Sequence, residues 1–247
     1  MYQFSEGKLR IIKEKIDHAL SAGAAPIAAF DADGTLWATD VGENFFKYQY
    51  KNHLIEGLPS DPWAYYQNLY RTNRDQCYLW LAQINAGQSI QQVRKWAKES
   101  VTTHMHEMGE FIGQKHVIAH MIQRGVRVYI VTASVRWAVE PAARLFGVDP
   151  DFVVGIETLI DPSGNVTAEP AGPITHGPGK VEGLLRATGG VAPFFAAGNT
   201  ESDLALLESA THLKFVVGSA PAGHDHRKTE QHMQMLAEER GWLRHQF

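Results

Sequence analysis

The sequence predicts an α/β protein: a Rossmann-like, doubly wound parallel sheet with a helical unit inserted after its first strand. Three observations lead there. Short apolar runs recur at residues 27–30, 126–131, 152–156 and 194–197, and stretches of helical character separate each from the next. That alternation is the pattern of β-α units. The first run ends in a polar Gly turn, Asp31-Ala32-Asp33-Gly34-Thr35, as a buried parallel strand does when it reaches the functional edge of its sheet. Residues 41 to about 108 break the rhythm: they hold no convincing strand, many aromatics and several helical patterns.

The elements follow in order. Residues 5–22 read as a helix, with Leu9, Ile12, Ile16 and Leu20 spaced by three and four. Pro26 opens the first strand. Within the aromatic stretch, Ser60-Asp61-Pro62 marks a helix start, an N-cap ahead of a first-turn proline. Asp161-Pro162-Ser163-Gly164-Asn165 predicts the turn of a small hairpin. Near the end, Pro221-Ala222-Gly223-His224 reads as loop and a helix resumes near Lys228. The expected division is a core of residues 1–40 and 109–247 with a helical cap over 41–108.

Composition narrows the function classes. The chain has 247 residues, 44% hydrophobic and 20% charged, enough to bury a core in one domain carrying an insertion. No apolar run reaches the length of a membrane span. A formal charge of −4 without any Lys/Arg block argues against a general nucleic-acid binder. Cys77 stands alone, so neither a disulfide framework nor a Cys-based zinc site is expected, and a reduced, cytoplasmic setting fits. The N-terminal stretch is amphipathic and charged, unlike a secretory signal.

Four places carry chemistry. Asp31 and Asp33 lie two apart at a strand end; two close carboxylates repel, and a dication with all-oxygen ligands, Mg²⁺, is their natural partner. Thr132 closes the second run and offers a hydroxyl with the following amides at an expected helix start, a ready anion site. Lys180, in Gly177-Pro178-Gly179-Lys180, supplies a cation at a turn before a helix; Val181 follows it, so this is no P-loop. Gly198-Asn199-Thr200-Glu201-Ser202-Asp203 adds oxygen ligands after the fourth run. Singly, each fits a plain turn or a solvated side chain; all four in this order do not arise by chance.

Together these motifs resemble those of the haloacid dehalogenase superfamily hydrolases, over residues 27–207. FDADGT is similar to the first motif, VYIVTAS to the second, GPGK to the third and GNTESD to the fourth. The resemblance implies that Asp31 is a nucleophile and Asp33 a general acid/base. It implies that Thr132 and Lys180 bind a transferring phosphoryl group. Asn199 and Asp203 would complete an Mg²⁺ site with the Asp31 carboxylate and the Asp33 carbonyl. Gly34, Ala133 and Ser134, within the first two motifs, are expected to contact substrate. The helical insertion is placed as in phosphoserine phosphatase-like members, and Trp37-Ala38-Thr39-Asp40 with Glu43 also looks similar to phosphorylcholine phosphatases.

The implied activity is hydrolysis of a small phosphate monoester through an aspartyl-phosphate. A phosphotransferase of the same mechanism, or a module that binds a phosphorylated ligand without turnover, stands as the alternative. Dehalogenation is disfavoured, because superfamily dehalogenases lack the second Asp that Asp33 supplies. Trp37 and Asp40 are expected to read an amine or choline-like headgroup through charge and cation–π attraction. Against that, Asp40 is equally suited to cap a helix from Val41, and the aromatics to fill a helical core. The pairs His104/His106 and His116/His120 lack a third metal ligand and read as surface or packed histidines. One departure stands out: the fourth motif begins Gly-Asn where the family usually has Gly-Asp. An amide keeps an oxygen but removes a charge, so weaker metal affinity with retained activity is expected.

Overall fold

The computed structural model describes residues 2–224 and 226–247. A six-stranded sheet is built from β1 (Ile27–Phe30), β2 (Arg127–Val135), β3 (Val153–Ile156), β6 (Phe195–Gly198), β7 (Leu213–Gly218) and β8 (Leu243–Gln246). Its order is β3-β2-β1-β6-β7-β8, and every pairing is parallel. Between β3 and β6 in the chain, β4 (Thr158–Ile160) and β5 (Val166–Pro170) form a separate antiparallel hairpin around the Asp161 turn. Numbered within the large sheet alone, the order runs 3-2-1-4-5-6, the Rossmann-like doubly wound arrangement. In such a sheet the strand order reverses between β1 and β6, and the crevice beyond their carboxyl ends is where ligands bind.

Helices cover both faces. Along β1, Ala28 and Phe30 join a cluster with Ile12, Ile16, Ile118 and Phe215. Ile27 and Ala29 join another with Leu184, Leu206, Val216 and Met233. The two-residue alternation thus feeds two cores, which is why the strand reads as an unbroken apolar run. The first cluster is closed by α1 (Glu6–Ser21), whose Ser5 side chain caps it by accepting from the Lys8 amide, and by α6 (Ile112–Gln123). The second is closed by α8 (Pro178–Thr188), α9 (Leu204–Ser209) and α10 (Arg227–Glu239).

Between β1 and β2 lie α2 (Val41–Lys51), α3 (Pro62–Thr72), α4 (Arg74–Gln83) and α5 (Ile90–Met108). Asp61 caps α3 through the Ala64 amide, with Pro62 in the first turn. Phe45, Phe46, Tyr66, Leu81, Val93 and Ala97 form their common core. That core extends onto Trp137 and Ala138 of α7 (Arg136–Leu145), so most aromatics of this stretch do packing duty.

Three features differ from the sequence expectation. β2 does not end at Val131 but continues to Val135, and its pairing with β3 shifts register between those two residues. Two extra residues on β2 form a bulge there, so Thr132 lies in bulged strand and the helix starts only at Arg136. β7 was not expected because Lys214 interrupts its apolar pattern. β8, Leu-Arg-His-Gln, is a half-exposed edge strand with no apolar run at all.

Candidate active site

The first residue past β1 is Asp31, whose amide donates to the Ala197 carbonyl of β6 at 2.9 Å. That bond fixes the carboxylate at the reversal point of the sheet. Its Oδ1 accepts from Lys180 Nζ at 2.6 Å and its Oδ2 from Thr35 Oγ1 at 2.8 Å. Lys180 enters from the first turn of α8 and is 1% exposed. A side chain on Gly179 would put a Cβ 1.9 Å from the Ile174 carbonyl oxygen, so only glycine lets the helix start sit this close. The Lys180 ammonium also donates to Asp203 Oδ1 at 2.6 Å and so bridges two buried carboxylates.

Asp203 Oδ2 accepts from the amides of Asn199 and Thr200, at 3.1 and 3.0 Å, and from Thr200 Oγ1 at 3.2 Å. The loop after β6 is thereby folded around this one carboxylate. Asn199, 1% exposed, places its Oδ1 3.4 Å from Thr35 Oγ1. Gly34, at φ +79°, permits the approach: a Cβ there would lie 2.0 Å from Asn199 Nδ2. Among these groups the electrostatics are crowded. Burial, then the charge of Asp203, raise the Asp31 carboxyl to about 7, with Lys180 pulling the other way. For Lys180 burial acts to lower its pKa, but Asp203 and Asp31 outweigh it and the net direction is up.

Asp33 is held by three donors. Its Oδ1 accepts from the Trp37 indole at 2.6 Å and from the Val41 amide, first in α2, at 2.9 Å; its Oδ2 accepts from Ser134 Oγ at 2.8 Å. Enclosure by protein raises its carboxyl, and these hydrogen bonds oppose the rise. Asp40 caps α2, accepting from the Glu43 amide at 2.7 Å. It is open to solvent yet walled in by protein on its other sides; this crowding, then the charge of Asp33, hold its carboxyl well above the usual range. Beside it, Glu43 binds Lys47 at 2.5 Å and accepts from the Tyr66 hydroxyl at 3.3 Å.

The structure brings Asp31, Asp33, Lys180, Asn199 and Asp203 to one edge, and gives several of the other expected residues protein partners of their own. Thr132 is 1% exposed; its hydroxyl accepts from the Ser134 amide and its carbonyl from Thr175 Oγ1, so the expected helix-start amides are not there. Ser134 spends its hydroxyl on Asp33, and Gly34 its amide on the Trp37 carbonyl at 2.7 Å. Ala133 is half-buried in the bulge. Trp37 is fully buried, and its indole N–H is directed onto Asp33. Both oxygens of Asp203 accept from protein donors, so it anchors Lys180 and the Asn199 loop. Sequence reasoning missed Thr35, Thr175 and Glu230. Thr35 stood inside the first motif; for the other two no sequence signal exists.

The donors present suit a hard dication. Asp31 Oδ2 and Asn199 Oδ1 both contact the Thr35 hydroxyl, and oxygen is the ligand type such a cation prefers; burial first, then the charge of Asp203, raises the Asp31 carboxyl. Among the described residues no group of three or more His, Cys, Asp or Glu is arranged for a metal, so an ion here would have one carboxylate, one amide and backbone oxygens to bind. His104 is bonded to the Ser100 carbonyl and His120 to Asp17.

Comparison with known proteins now decides the family. The profile of the haloacid dehalogenase-like hydrolases matches residues 28–208. The chain belongs to that family. A phosphorylcholine phosphatase of Pseudomonas aeruginosa is 20% identical over 178 residues, 57% of this chain and 51% of that protein; the match spans about half of that relative's length. A protein of unknown function from Bordetella pertussis shares the fold with a TM-score of 0.67 at 19% identity, over 88% of this chain and 96% of that one. A hydrolase of the same family from Salmonella enterica serovar Typhi shares it with a TM-score of 0.57 at 14% identity, over 99% and 77%. No helix among the described residues is long and apolar enough to cross a membrane.

Proposed function

We propose that the protein is a phosphomonoesterase that works through a phosphorylated Asp31. The observation carrying this is the ammonium of Lys180 buried between Asp31 and Asp203 at the reversal point of the sheet, where a phosphoryl dianion needs a fixed cation. Mg²⁺, held by the oxygens of Asp31 and Asn199 and the Asp33 carbonyl, supplies further neutralisation of phosphoryl charge when bound. Thr35 keeps Asp31 turned toward the crevice, and Lys180 screens the negative charge the incoming phosphate meets. Asp31 attacks phosphorus, and the alkoxide leaves with a proton from Asp33. Asp33, then a carboxylate again, takes a proton from the water that hydrolyses the acyl-phosphate. Covalent catalysis splits one hard displacement into two, and the acid/base help is worth about 10²–10⁴-fold. The Trp37, Val41 and Ser134 donors stabilise that carboxylate between the two proton transfers.

Residues 41–108 serve as a cap that excludes water and selects the substrate. The substrate is a small metabolite phosphate with a cationic headgroup, such as phosphocholine, phosphoethanolamine or phosphoserine. Supporting this, the open Asp40 carboxyl, Glu43 and the Tyr66 hydroxyl cluster at the start of the first inserted helix. Release of inorganic phosphate from these three and from glycerol phosphate, in Mg²⁺ and in chelator, tests the proposal. Turnover of at least one amine-bearing ester is expected in Mg²⁺ only. Release that persists in Asp31→Asn protein, or none from any ester, overturns it.

A further inference from the structure

Asn199 occupies the position where the family usually has an acid, and the structure shows what stands behind it. Its Nδ2 donates to Glu230 Oε1 at 3.0 Å. Glu230 lies on α10, is 1% exposed, and accepts on Oε2 from the amides of Ser219 and Ala220 at 2.9 and 2.8 Å, just past β7. Both oxygens of its carboxyl group thus accept from N–H donors. The same helix reaches the loop again through Thr229, whose hydroxyl accepts from the Glu201 amide at 3.0 Å.

A carboxylate has no proton to give, so only the NH₂ side of the Asn199 amide can face it. The amide oxygen must then point the opposite way, toward Thr35 and Asp31. An aspartate at 199 would set oxygen against oxygen at this spacing, both acceptors, in a space closed to water. The charge missing from the fourth motif has therefore been moved one residue outward, not lost. Resting on the reading that Asn199 is a metal ligand, we propose that Glu230 is its positioning residue: the Asn199–Glu230 pair does jointly what a single acid does in the Gly-Asp pattern, by locking the amide oxygen toward the metal. This replaces the simpler expectation that the amide merely weakens the site.

The pair predicts a reciprocal exchange. In Glu230→Gln the new NH₂ opposes the Asn199 NH₂, because the glutamine oxygen is needed by Ser219 and Ala220; Asn199 then turns its nitrogen to the metal. In Asn199→Asp two acceptors collide. In the double variant, glutamine donates to aspartate and the lock is restored with the charge moved inward.

Mg²⁺ binding by titration calorimetry on the wild type, both single variants and the double variant reads the coupling, with melting of the same proteins in chelator as a metal-free readout. Each single variant is expected to lose about tenfold in Mg²⁺ affinity, the usual scale for disturbing a ligand's outer partner. The double variant is expected to return to within about threefold of wild type, and its chelator melting point to exceed that of Asn199→Asp. Losses that simply multiply in the double variant, or tighter Mg²⁺ binding in Asn199→Asp with an unchanged chelator melting point, overturn the positioning role alone. A wild type that takes up no Mg²⁺ overturns the metal reading beneath it, and the inference with it.

Discussion

Lys180→Met gives the most direct test of the charge arrangement. Methionine matches the lysine stem in length and fills the same channel, so packing changes little. What disappears is the ammonium 2.6 Å from both Asp31 Oδ1 and Asp203 Oδ1, in a place where the lysine is 1% exposed. Breaking a buried ion pair by removing one partner costs about 3–5 kcal/mol, because the other charge is left uncompensated. Here two carboxylates are left, and the charge of Asp203 is, after burial, what raises the Asp31 carboxyl. For a chain of this size the loss corresponds to a melting point lower by about 6–20 °C. Urea unfolding in chelator at pH 8 is the assay, since there the carboxylates cannot escape by taking a proton at no cost. Adding Asp31→Asn to Lys180→Met should recover part of the loss, because it removes one of the two opposed charges. A loss below about 1 kcal/mol, or a double variant worse than either parent, would refute the claim that Lys180 holds the two carboxylates together.

Four further outcomes follow. Asp31→Asn should abolish phosphate release while the protein still unfolds cooperatively; residual turnover in clean protein removes Asp31 from the chemistry. Asp40→Asn keeps a good helix cap, so stability should shift by less than about 0.5 kcal/mol, whereas KM for phosphocholine should rise relative to glycerol phosphate; equal changes for both esters would reduce Asp40 to a cap. Gly34→Ala forces a side chain onto φ +79° and a Cβ to 2.0 Å from Asn199 Nδ2, so a loss of about 2 kcal/mol or more is expected in urea, and one near zero would contradict the close approach. Finally, because the folded Asp31 carboxyl is raised to about 7, chiefly by burial, the folded state binds that proton more tightly than the unfolded chain. Its contribution in chelator is therefore most favourable below pH 4 and declines as pH rises to about 7. Asp31→Asn should flatten that part of the stability profile; an unchanged slope would show the titration lies elsewhere.

The parts of the fold legible in the sequence were those where one rule dominates. β1 and β6 are buried on both faces, so their apolar runs were unbroken; α1 and α3 carry their own caps; the hairpin carries its own Asx turn. β7 and β8 escaped because one has a lysine within it and the other is an edge, stabilised by pairing rather than by composition. At the site, the residues that share the reversal point could be gathered from their motifs, but not the use each makes of its atoms. Ser134 and Trp37 are turned onto Asp33 by a strand bulge and by a tight turn, neither of which has a sequence period. Glu230 was out of reach for another reason: its role depends on α10 folding back over β6 and β7, a contact made across some thirty residues of chain.

The family profile stops at residue 208, while β7, α10 and β8 all come later. Every signature residue thus sits inside a span that lacks two of the three strands on one flank of the sheet. A fragment trimmed to the recognisable signatures would keep the whole recipe on paper and still expose β6 as a raw edge, with Asn199 free to spin. The unremarkable last forty residues are the back wall against which the working parts are braced.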